Sequence, residues 1–179
     1  MADATNRPSL LVLVRHGQSQ RNVVKKQNRF YLDDEARKSV KGVPDHLIEL
    51  TDEGRRQAAA TGPALRDTYG MFDYVVHSGY ARTIQTTEEI LNAYPPDERA
   101  RMYVFLQKLG RTMAGRRVLV VTHGGTIWCF RYVLERWTYE EAEWRFRTET
   151  SPNCAVTAYR FGEAPGRLEL TDRALVHWR

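Results

Sequence analysis

The fold of this protein is decided by the stretch Leu13-Val14-Arg15-His16-Gly17-Gln18-Ser19-Gln20-Arg21-Asn22. Its first two residues close the run Ser9–Val14, whose short and nearly continuous apolar character predicts a buried strand. The residues from Gln18 to about Asn28 are compatible with a short, weak helix. Arg15-His16-Gly17 therefore stands where a buried strand ends and a helix begins.

Two further apolar runs end in polar residues of the same kinds. Asp73–Val76 reads as a second buried strand, followed by Ser78-Gly79-Tyr80-Ala81-Arg82. Arg117–Thr122 reads as a third, and His123-Gly124-Gly125 follows it at once. In each case, histidine, arginine or glycine comes directly or shortly after the strand.

Helical patterns separate these strands. Thr51 is a suitable N-cap for a helix that runs to about Tyr69, where Gly70 ends it. We predict further helices at Tyr80–Tyr94, Glu98–Ala114 and Thr126–Arg136, a capping box at Thr138–Glu141, a polar irregular loop at Arg29–Leu50, and late strands at Ala155–Phe161 and Leu168–Val176. The alternation predicts an α/β fold in a single domain over residues 1–179, with a mostly parallel central sheet and helices on both faces.

The strand ends bring four chemically active residues to one place. In open α/β sheets, ligands bind just beyond the carboxyl ends of the strands. Because Arg15 and His16 end the first strand, Arg82 lies shortly after the second and His123 follows the third, we expect these side chains to meet at one edge. The sequence therefore predicts a site built from two histidines and two arginines.

These residue types suit the binding and transfer of a phosphoryl group. Guanidinium groups bind phosphate oxygens in pairs, which favours Arg15 and Arg82 as anion ligands. Gly17 and Gly124 would allow the backbone to approach the anion, and the helices that follow them would offer free amides. A neutral imidazole is a competent nucleophile, and we expect the nearby arginines to disfavour protonation of His16.

Four blocks in this order resemble the signature of the histidine phosphatase, or phosphoglycerate mutase-like, superfamily. The blocks are Leu13–Asn22, Leu50–Ala58, Ser78–Thr86 and Val120–Gly125, and the late strand around Asn153–Tyr159 also fits. The resemblance implies a three-layer sandwich, a phosphohistidine intermediate on His16, and a phosphoryl group held by Arg15, Arg82 and His123. It further implies a hydrogen bond from Asn22 to a phosphate oxygen, with neither a metal nor a cofactor.

The resemblance leaves the acid that protonates the leaving oxygen unassigned. The family glutamate lies in a segment rich in Gly and Trp, which this sequence lacks between Arg82 and His123. The candidates are Glu88, Glu89, Asp97 and Glu98. Either the chain is a compact member without the acid, like small phosphohistidine phosphatases, or a segment of the chain is missing at Arg101-Met102-Tyr103, which is the interpretation we favour.

The resulting hypothesis is a metal-independent phosphomonoester phosphatase for a small phosphorylated metabolite, with inorganic phosphate as product. Three alternatives stay open: phosphoglycerate mutase-type transfer, a phosphohistidine or phosphoprotein phosphatase, and a phosphoprotein-binding module without turnover. The loop Arg29–Leu50 is expected to select the substrate, whose identity the sequence does not reveal.

Composition and charge argue against nucleic-acid binding, membrane insertion and a cysteine-based metal site. The chain has 179 residues and a formal charge of +5, but its Lys and Arg residues are scattered and no nucleic-acid-binding motif accompanies them, so we do not expect nucleic acid as a partner. Its apolar runs are far shorter than the roughly 20 residues that cross a bilayer, and residues 1–8 are polar, which favours a cytoplasmic protein without membrane contact. Cys129 and Cys154 match no metal motif, and the oligomeric state is not indicated.

Overall fold

A computed structural model describes residues 8–25, 38–106, 113, 115–161 and 168–178. The strands are β1 (Leu10–Arg15), β2 (Tyr74–His77), β3 (Tyr103–Leu106), β4 (Arg117–Thr122), β5 (Val156–Phe161) and β6 (Leu168–Leu175). The helices are α1 (Gln20–Lys25), α2 (Asp52–Tyr69), α3 (Ala81–Leu91), α4 (Pro96–Arg101), α5 (Gly124–Leu134) and α6 (Tyr139–Thr148). Short 3-10 turns lie at Lys38–Val40 and Asp45–Leu47.

The strands form one mixed sheet in the order β3-β2-β4-β1-β5-β6. The pairs β2–β3, β2–β4 and β1–β4 are parallel, whereas β5 is antiparallel to both of its neighbours. The predicted α/β fold with a mostly parallel sheet is therefore confirmed. Because β1, β2 and β4 lie side by side and point the same way, their carboxyl ends meet at one edge.

Alternate residues of the central strands pack into two separate hydrophobic cores, one on each face of the sheet. Leu10, Val12 and Val14 of β1 pack in a cluster with Leu65 of α2 and Ile90 of α3. Leu11 and Leu13 point to the opposite face and pack in a second cluster with Ile127 of α5. Helices thus cover both faces, and the apolar character of β1 on both sides follows from its burial between them.

The helix predicted from Glu98 to Ala114 is wrong up to Leu106, and residues 107–112 and 114 of that range lie outside the described residues. The chain instead forms the short α4, buries Met102, and continues into β3, an edge strand parallel to β2. Tyr103-Val104-Phe105-Leu106 is aromatic and β-branched in composition, which favours a strand over a helix. Arg101, Met102 and Tyr103, where we favour a missing segment, lie at the boundary between α4 and β3.

Other sequence expectations hold with small shifts of boundary. Thr51 caps α2, its side chain accepting a hydrogen bond from the Gly54 amide, and Gly70 follows the helix with a φ of 66°. The predicted capping box of α6 is present, with both Thr138 and Glu141 bonded reciprocally. The first helix is confined to Gln20–Lys25, and the rest of its predicted range lies outside the described residues, as does the start of the loop at 29–50.

A close backbone contact joins the loop after β1 to the first turn of α2. A Cβ atom on Gly17 would lie 2.4 Å from the carbonyl oxygen of Gly54, and one on Gly54 would lie 2.0 Å from the carbonyl oxygen of Gln18. Neither distance is compatible with a side chain, because the atoms it would meet are backbone. Glycine at both positions therefore lets α2 seat the segment that carries His16.

We predict that Gly54→Ala lowers the free energy of unfolding by about 1–3 kcal/mol, because the added methyl group must displace backbone. Gly125→Ala is the matched control, since Gly125 also lies in the first turn of a helix but its Cβ would meet nothing within 4 Å. The control should be neutral or stabilising by up to about 1 kcal/mol. Urea unfolding of both variants measures the difference, and equal stabilities would show that the contact is not constraining.

Candidate active site

The register of β1 against β4 places two histidines side by side. Arg15 pairs with Thr122 at the end of the two strands, and the amide of His16 donates to the Thr122 carbonyl oxygen at 2.9 Å. His123 follows Thr122, and the ring centroids of His16 and His123 lie 5.1 Å apart in an edge-on arrangement. We call the cluster of His16, Arg15, Arg82 and His123 the His16 site.

The His16 ring is held as one tautomer. Its Nδ1 lies 2.7 Å from the carbonyl oxygen of Gly17, and because a carbonyl can only accept, Nδ1 carries the hydrogen. This leaves the lone pair on Nε2. Burial is the largest cause that lowers the pKa of His16, and together with Arg15, Arg82 and His123 it brings that pKa to about 3 despite the bond to Gly17. The ring is neutral near pH 7, and burial contributes more to this than the arginines that the sequence suggested.

Arg82 enters the site from the first turn of α3. Its guanidinium is buried, donates from Nη1 to the Asp45 carbonyl oxygen at 2.6 Å, and lies 3.2 Å from the Asp45 carboxylate through Nη2. It also stacks 4.6 Å from the centre of the Tyr80 ring, which packs edge-on against His123 at 4.8 Å. Arg82 and His123 are thus fixed through a shared aromatic neighbour.

Asp45 is a residue of the site that sequence reasoning missed. It lies in the 3-10 turn of the polar loop and binds both Arg82 and Arg21 through its carboxylate. Burial raises the pKa of Asp45, but the charges and hydrogen bonds of Arg82 and Arg21 reverse this and lower it overall. Asp45 is therefore an ionised counter-charge, and no local motif in the sequence marks it because both of its partners are distant in the chain.

Arg15 approaches His123 from the end of β1. Its Nη1 donates to the carbonyl oxygen of Ser151, and Gly124 packs against the guanidinium, since a Cβ there would lie 3.6 Å from Nε. Within the described part of the chain, Nε of Arg15 is buried without a hydrogen-bond partner. A buried donor of this kind can serve a ligand oxygen.

Asn22 is positioned by a small amide network. Its Oδ1 accepts hydrogen bonds from the amide and hydroxyl of Ser19, each at 3.0 Å, and from Nδ2 of Asn153 at 3.2 Å. Asn153 also donates to the carbonyl oxygen of His16 at 2.9 Å. These bonds engage the oxygen of the Asn22 amide, and its Nδ2 group is the remaining donor. Asn153 thus holds both Asn22 and the backbone of His16 in place. Its position in the sequence, just before β5, did not indicate this role.

His123 is oriented through Nε2. The Ser78 hydroxyl lies 2.8 Å from that nitrogen and 3.1 Å from the Thr83 hydroxyl, which donates to the Tyr80 carbonyl oxygen at 2.8 Å. Nδ1 is the other ring nitrogen and is the one left for a ligand. Burial, followed by the charge of Arg82, lowers the pKa of His123 to about 4.

The amides after β1 do not offer an anion site. Those of Gly17, Gln18 and Ser19 donate to the side chains of Thr86, Gln57 and Asn22. The expected free amides are therefore not those of Gly17, Gln18 and Ser19. That Gly17 lets the backbone approach an anion stays a prediction. The N-terminus of α5 differs, because its first helical bond runs from the Ile127 amide to the His123 carbonyl oxygen, so the amides of Gly124 and Gly125 precede it.

The acid candidates lie on the outer helices. Glu88 and Glu89 belong to α3, and Asp97 and Glu98 to α4. Glu88 is exposed, Glu89 pairs with Arg55 of α2 at 3.3 Å, and Glu98 pairs with Arg66 at 3.6 Å. Among the described residues, Asp45 is the carboxylate that bonds to a member of the His16 site.

The described residues contain no group of three His, Cys, Asp or Glu side chains that could hold a metal ion. None of the helices in the described ranges is long and apolar enough to span a membrane.

The sequence pattern of the histidine phosphatase superfamily (branch 1) matches this chain at residues 11–98 and 94–173. The two stretches overlap just before and within α4, near where the Gly- and Trp-rich segment is lacking.

Solved structures of related folds cover nearly the whole chain. A phosphoserine phosphatase from Entamoeba histolytica with 3-phosphoglyceric acid is 17% identical, with a TM-score of 0.63 over 94% of this chain and 98% of its own. A mycobacterial glucosyl-3-phosphoglycerate phosphatase with VO3 is 17% identical, with a TM-score of 0.59 over 92% of this chain and 98% of its own. A phosphoglycerate mutase from Bacillus anthracis is 14% identical, with a TM-score of 0.61 over 96% of this chain and 95% of its own. These likenesses establish the shared fold.

The pKa of His16 predicts how stability responds to acid. The folded protein keeps His16 neutral to about pH 3, whereas the unfolded chain takes up the proton below its ordinary pKa of 6.5. The unfolded state then binds more protons, so the free energy of unfolding falls as the pH is lowered from about 6 to 4, by up to about 1.4 kcal/mol per pH unit for this group.

His16→Gln should therefore make the unfolding free energy less steeply dependent on pH over that interval, as measured by urea unfolding at a series of pH values. The contribution of His123, whose pKa is lowered to about 4, should remain. His46→Gln, at an exposed position of the polar loop, is the control and should keep the wild-type slope. An unchanged slope in His16→Gln would mean that His16 titrates normally.

Proposed function

Because this chain belongs to the histidine phosphatase superfamily, we propose that it is a metal-independent phosphomonoester phosphatase that forms a phosphohistidine on His16 and acts on a small phosphorylated metabolite. The observation that carries the proposal is the neutral Nε2 of His16, presented in a buried cluster with two guanidinium groups. A nucleophile and the ligands for its electrophile then occupy the same edge of the sheet.

His16 would act as the nucleophile through Nε2. Its Nδ1 hydrogen bond to the Gly17 carbonyl oxygen fixes the ring, so that the lone pair needs no deprotonation before attack. The same bond stabilises the positive charge that the ring acquires when Nε2 bonds to phosphorus. Burial favours the neutral ring in the free enzyme, and a bound dianion offsets the charge that develops.

The phosphoryl oxygens would be held by Arg15, Arg82, Asn22 and the N-terminus of α5 at Gly124. Arg82 is preoriented by Asp45, and Arg15 contributes the buried Nε. His123 would bind a further oxygen through Nδ1, and the negative charge of the ligand would raise its pKa toward the protonated, donating form. Fixed donors of this kind are worth about 3 kcal/mol each in the transition state.

The reaction has two steps. Nε2 of His16 bonds to phosphorus while the ester P–O bond breaks, and the departing oxygen leaves with the bonding pair and takes a proton from solvent to become the alcohol. A water molecule then attacks phosphorus and releases one proton to solvent, the P–N bond breaks with its pair returning to Nε2, and inorganic phosphate is released. Rebinding of an alcohol product instead of water would give a mutase, so isomerisation of a phosphoglycerate must be assayed beside hydrolysis.

We expect His16→Ala to lower kcat for an aryl phosphate at least about a thousandfold, because the nucleophile is removed. Arg82→Lys should lower kcat/KM by about 10- to 100-fold, since lysine cannot bind a phosphoryl group in bidentate fashion. Arg56→Lys on the exposed face of α2 is the matched control and should retain wild-type activity.

Steady-state assays measure these effects, and an acid-labile, alkali-stable phosphoprotein trapped by denaturation at alkaline pH should appear in the wild type and be absent in His16→Ala. Vanadate binding without turnover of any aryl phosphate would instead favour the phosphoprotein-binding module.

The placement of the carboxylates predicts that the rate of hydrolysis depends strongly on the leaving group. Asp45 is held as the anion by Arg82 and Arg21, so it is poorly suited to donate a proton. General-acid catalysis is worth 10²–10⁴-fold, so phenyl phosphate should be hydrolysed at least about a hundredfold faster than benzyl phosphate, an alkyl ester of similar size. Rates within a few-fold of each other would show that an acid is present, and a selective loss with the benzyl ester in Asp45→Asn would identify Asp45 as that acid.

A further inference from the structure

The end of β1 is bonded to residues 151–155, which come just before β5. The Arg15 amide donates to the Ala155 carbonyl oxygen at 3.1 Å, and the Cys154 amide donates to the Arg15 carbonyl oxygen at 3.0 Å. The Arg15 guanidinium donates to the carbonyl oxygen of Ser151 in the same segment. Because these bonds engage both the backbone and the side chain of Arg15, the position of residues 151–155 sets the position of Arg15.

Within this segment, Asn153 carries the link to the rest of the site. Its Nδ2 donates to the His16 carbonyl oxygen at 2.9 Å and to Oδ1 of Asn22 at 3.2 Å. A side-chain amide nitrogen carries two hydrogens, so both donors of Asn153 are engaged by the His16 site and its neighbour Asn22. A displacement of Asn153 would therefore be passed on to the backbone of the nucleophile and to the Asn22 amide.

The backbone of the segment adopts a conformation that needs support. Cys154 is fully buried and has a φ of 52°, in the left-handed region that residues with a side chain rarely adopt. A residue in that region keeps its conformation only where its surroundings hold it there. The contacts made by the neighbouring Asn153 are therefore part of what fixes the segment.

One of these contacts comes from Trp178, which lies three residues after the end of β6. The indole Nε1 of Trp178 donates to the Asn153 carbonyl oxygen at 2.7 Å. The Trp178 ring is half-buried, and its N–H can only donate. Asn153 is thus held through its backbone by Trp178 and holds the site through its side chain.

An irregularity of the last two strands lies between the paired residues nearest to Trp178. Ala158 of β5 pairs with Asp172 of β6. Val156 pairs with Leu175, so between the two pairs β6 contains one residue more than β5. Ala174, which lies in this interval, has a φ of 49°. The strand β6 therefore carries a β-bulge just before its end.

The bulge determines which side chain reaches Asn153. Continued past the strand ends, the register after the bulge sets Trp178 opposite Asn153, whereas the register before it would set His177 there. Bulges next to active sites often re-aim a side chain in this way. The observed bond from Trp178 to Asn153 agrees with the shifted register.

We propose that Trp178 is a positioning residue of the His16 site, which holds Asn153 so that the His16 backbone and the Asn22 amide stay aligned for phosphoryl transfer. The inference rests on the proposed function. Trp178 acts through two hydrogen bonds of Asn153, so its loss should misplace the nucleophile and one phosphoryl ligand without removing either. A misplacement of about 1 Å that starts far from the chemistry can lower the rate about a hundredfold.

Trp178→Phe tests the proposal, because phenylalanine keeps an aromatic ring but lacks the N–H donor. The variant should lower kcat for phenyl phosphate about tenfold and change KM less than about twofold, since the arginines that bind the phosphate remain. Trp144→Phe is the matched control, at a tryptophan that is 60% exposed on α6, and should keep the wild-type kcat. Urea unfolding verifies that both variants are folded in the assay. A Trp178→Phe protein that loses stability but keeps kcat would overturn the proposal.

A double-mutant cycle with Asn153→Ala tests the route of the effect. Asn153→Ala should lower kcat at least about tenfold, because it removes both side-chain bonds. Adding Trp178→Phe to Asn153→Ala should then change kcat less than about twofold, because the link from Trp178 to the site is already lost. A second loss of about tenfold in that background would mean that Trp178 acts by another route, and would overturn the proposal.

Vanadate binding, measured by calorimetry, separates failure of this proposal from failure of the proposed function. Vanadate mimics the transition state of phosphoryl transfer, so its Kd should rise about tenfold in Trp178→Phe and stay unchanged in Trp144→Phe. A wild type that binds vanadate but hydrolyses no phosphomonoester overturns the proposed function, and the Kd values then decide the role of Trp178. Equal Kd values in the wild type and Trp178→Phe overturn that role alone. A wild type that does not bind vanadate overturns both.

Discussion

The parallel pairing of β1 with β4 is the constraint on which the site depends. The register sets Arg15 beside Thr122, so the next residue of each strand is a histidine, and the His16 amide extends the ladder by one more bond. A slip of one residue would turn one side chain of the pair to the opposite face of the sheet. Because β1 is apolar on both faces, polarity alone does not fix the register, and the backbone bond from His16 to Thr122 beyond the strand end favours the observed one.

This pairing concentrates positive groups at a buried edge, which is costly unless they are neutral or paired. The two histidines are kept neutral, as burial lowers both pKa values. Arg82 is balanced by Asp45, and Arg15 is held by a carbonyl oxygen and retains a buried donor. Neutral histidines and a paired Arg82 lower the cost of assembling this edge, and the charge of Arg15 would be available to an anion.

The sequence predicts those site residues that lie next to a recognisable strand in the chain. His16 and His123 are readable because each directly follows an apolar strand, and strand ends of a parallel sheet converge. Asp45 and Asn153 act at the same edge but reach it from loops whose course depends on tertiary contacts, so nothing near them in the chain marks their role. The strand β3 was missed because four residues after a short helix carry little periodicity, and its identity is decided by pairing with β2.

The fixed geometry of the His16 site bears on how it could act without an assigned general acid. The amides of Gly124 and Gly125 precede the first helical bond of α5, and Arg82 is held in place by Asp45. Binding energy gained by a remote, unreactive part of a substrate can be used to orient and desolvate the reacting group, and so to raise kcat. If binding of that remote part holds the ester oxygen in line with Nε2 of His16, precise placement compensates in part for a proton that arrives late. Such an enzyme would discriminate among phosphomonoesters chiefly by the body that the phosphate carries, because the phosphoryl position is common to all of them.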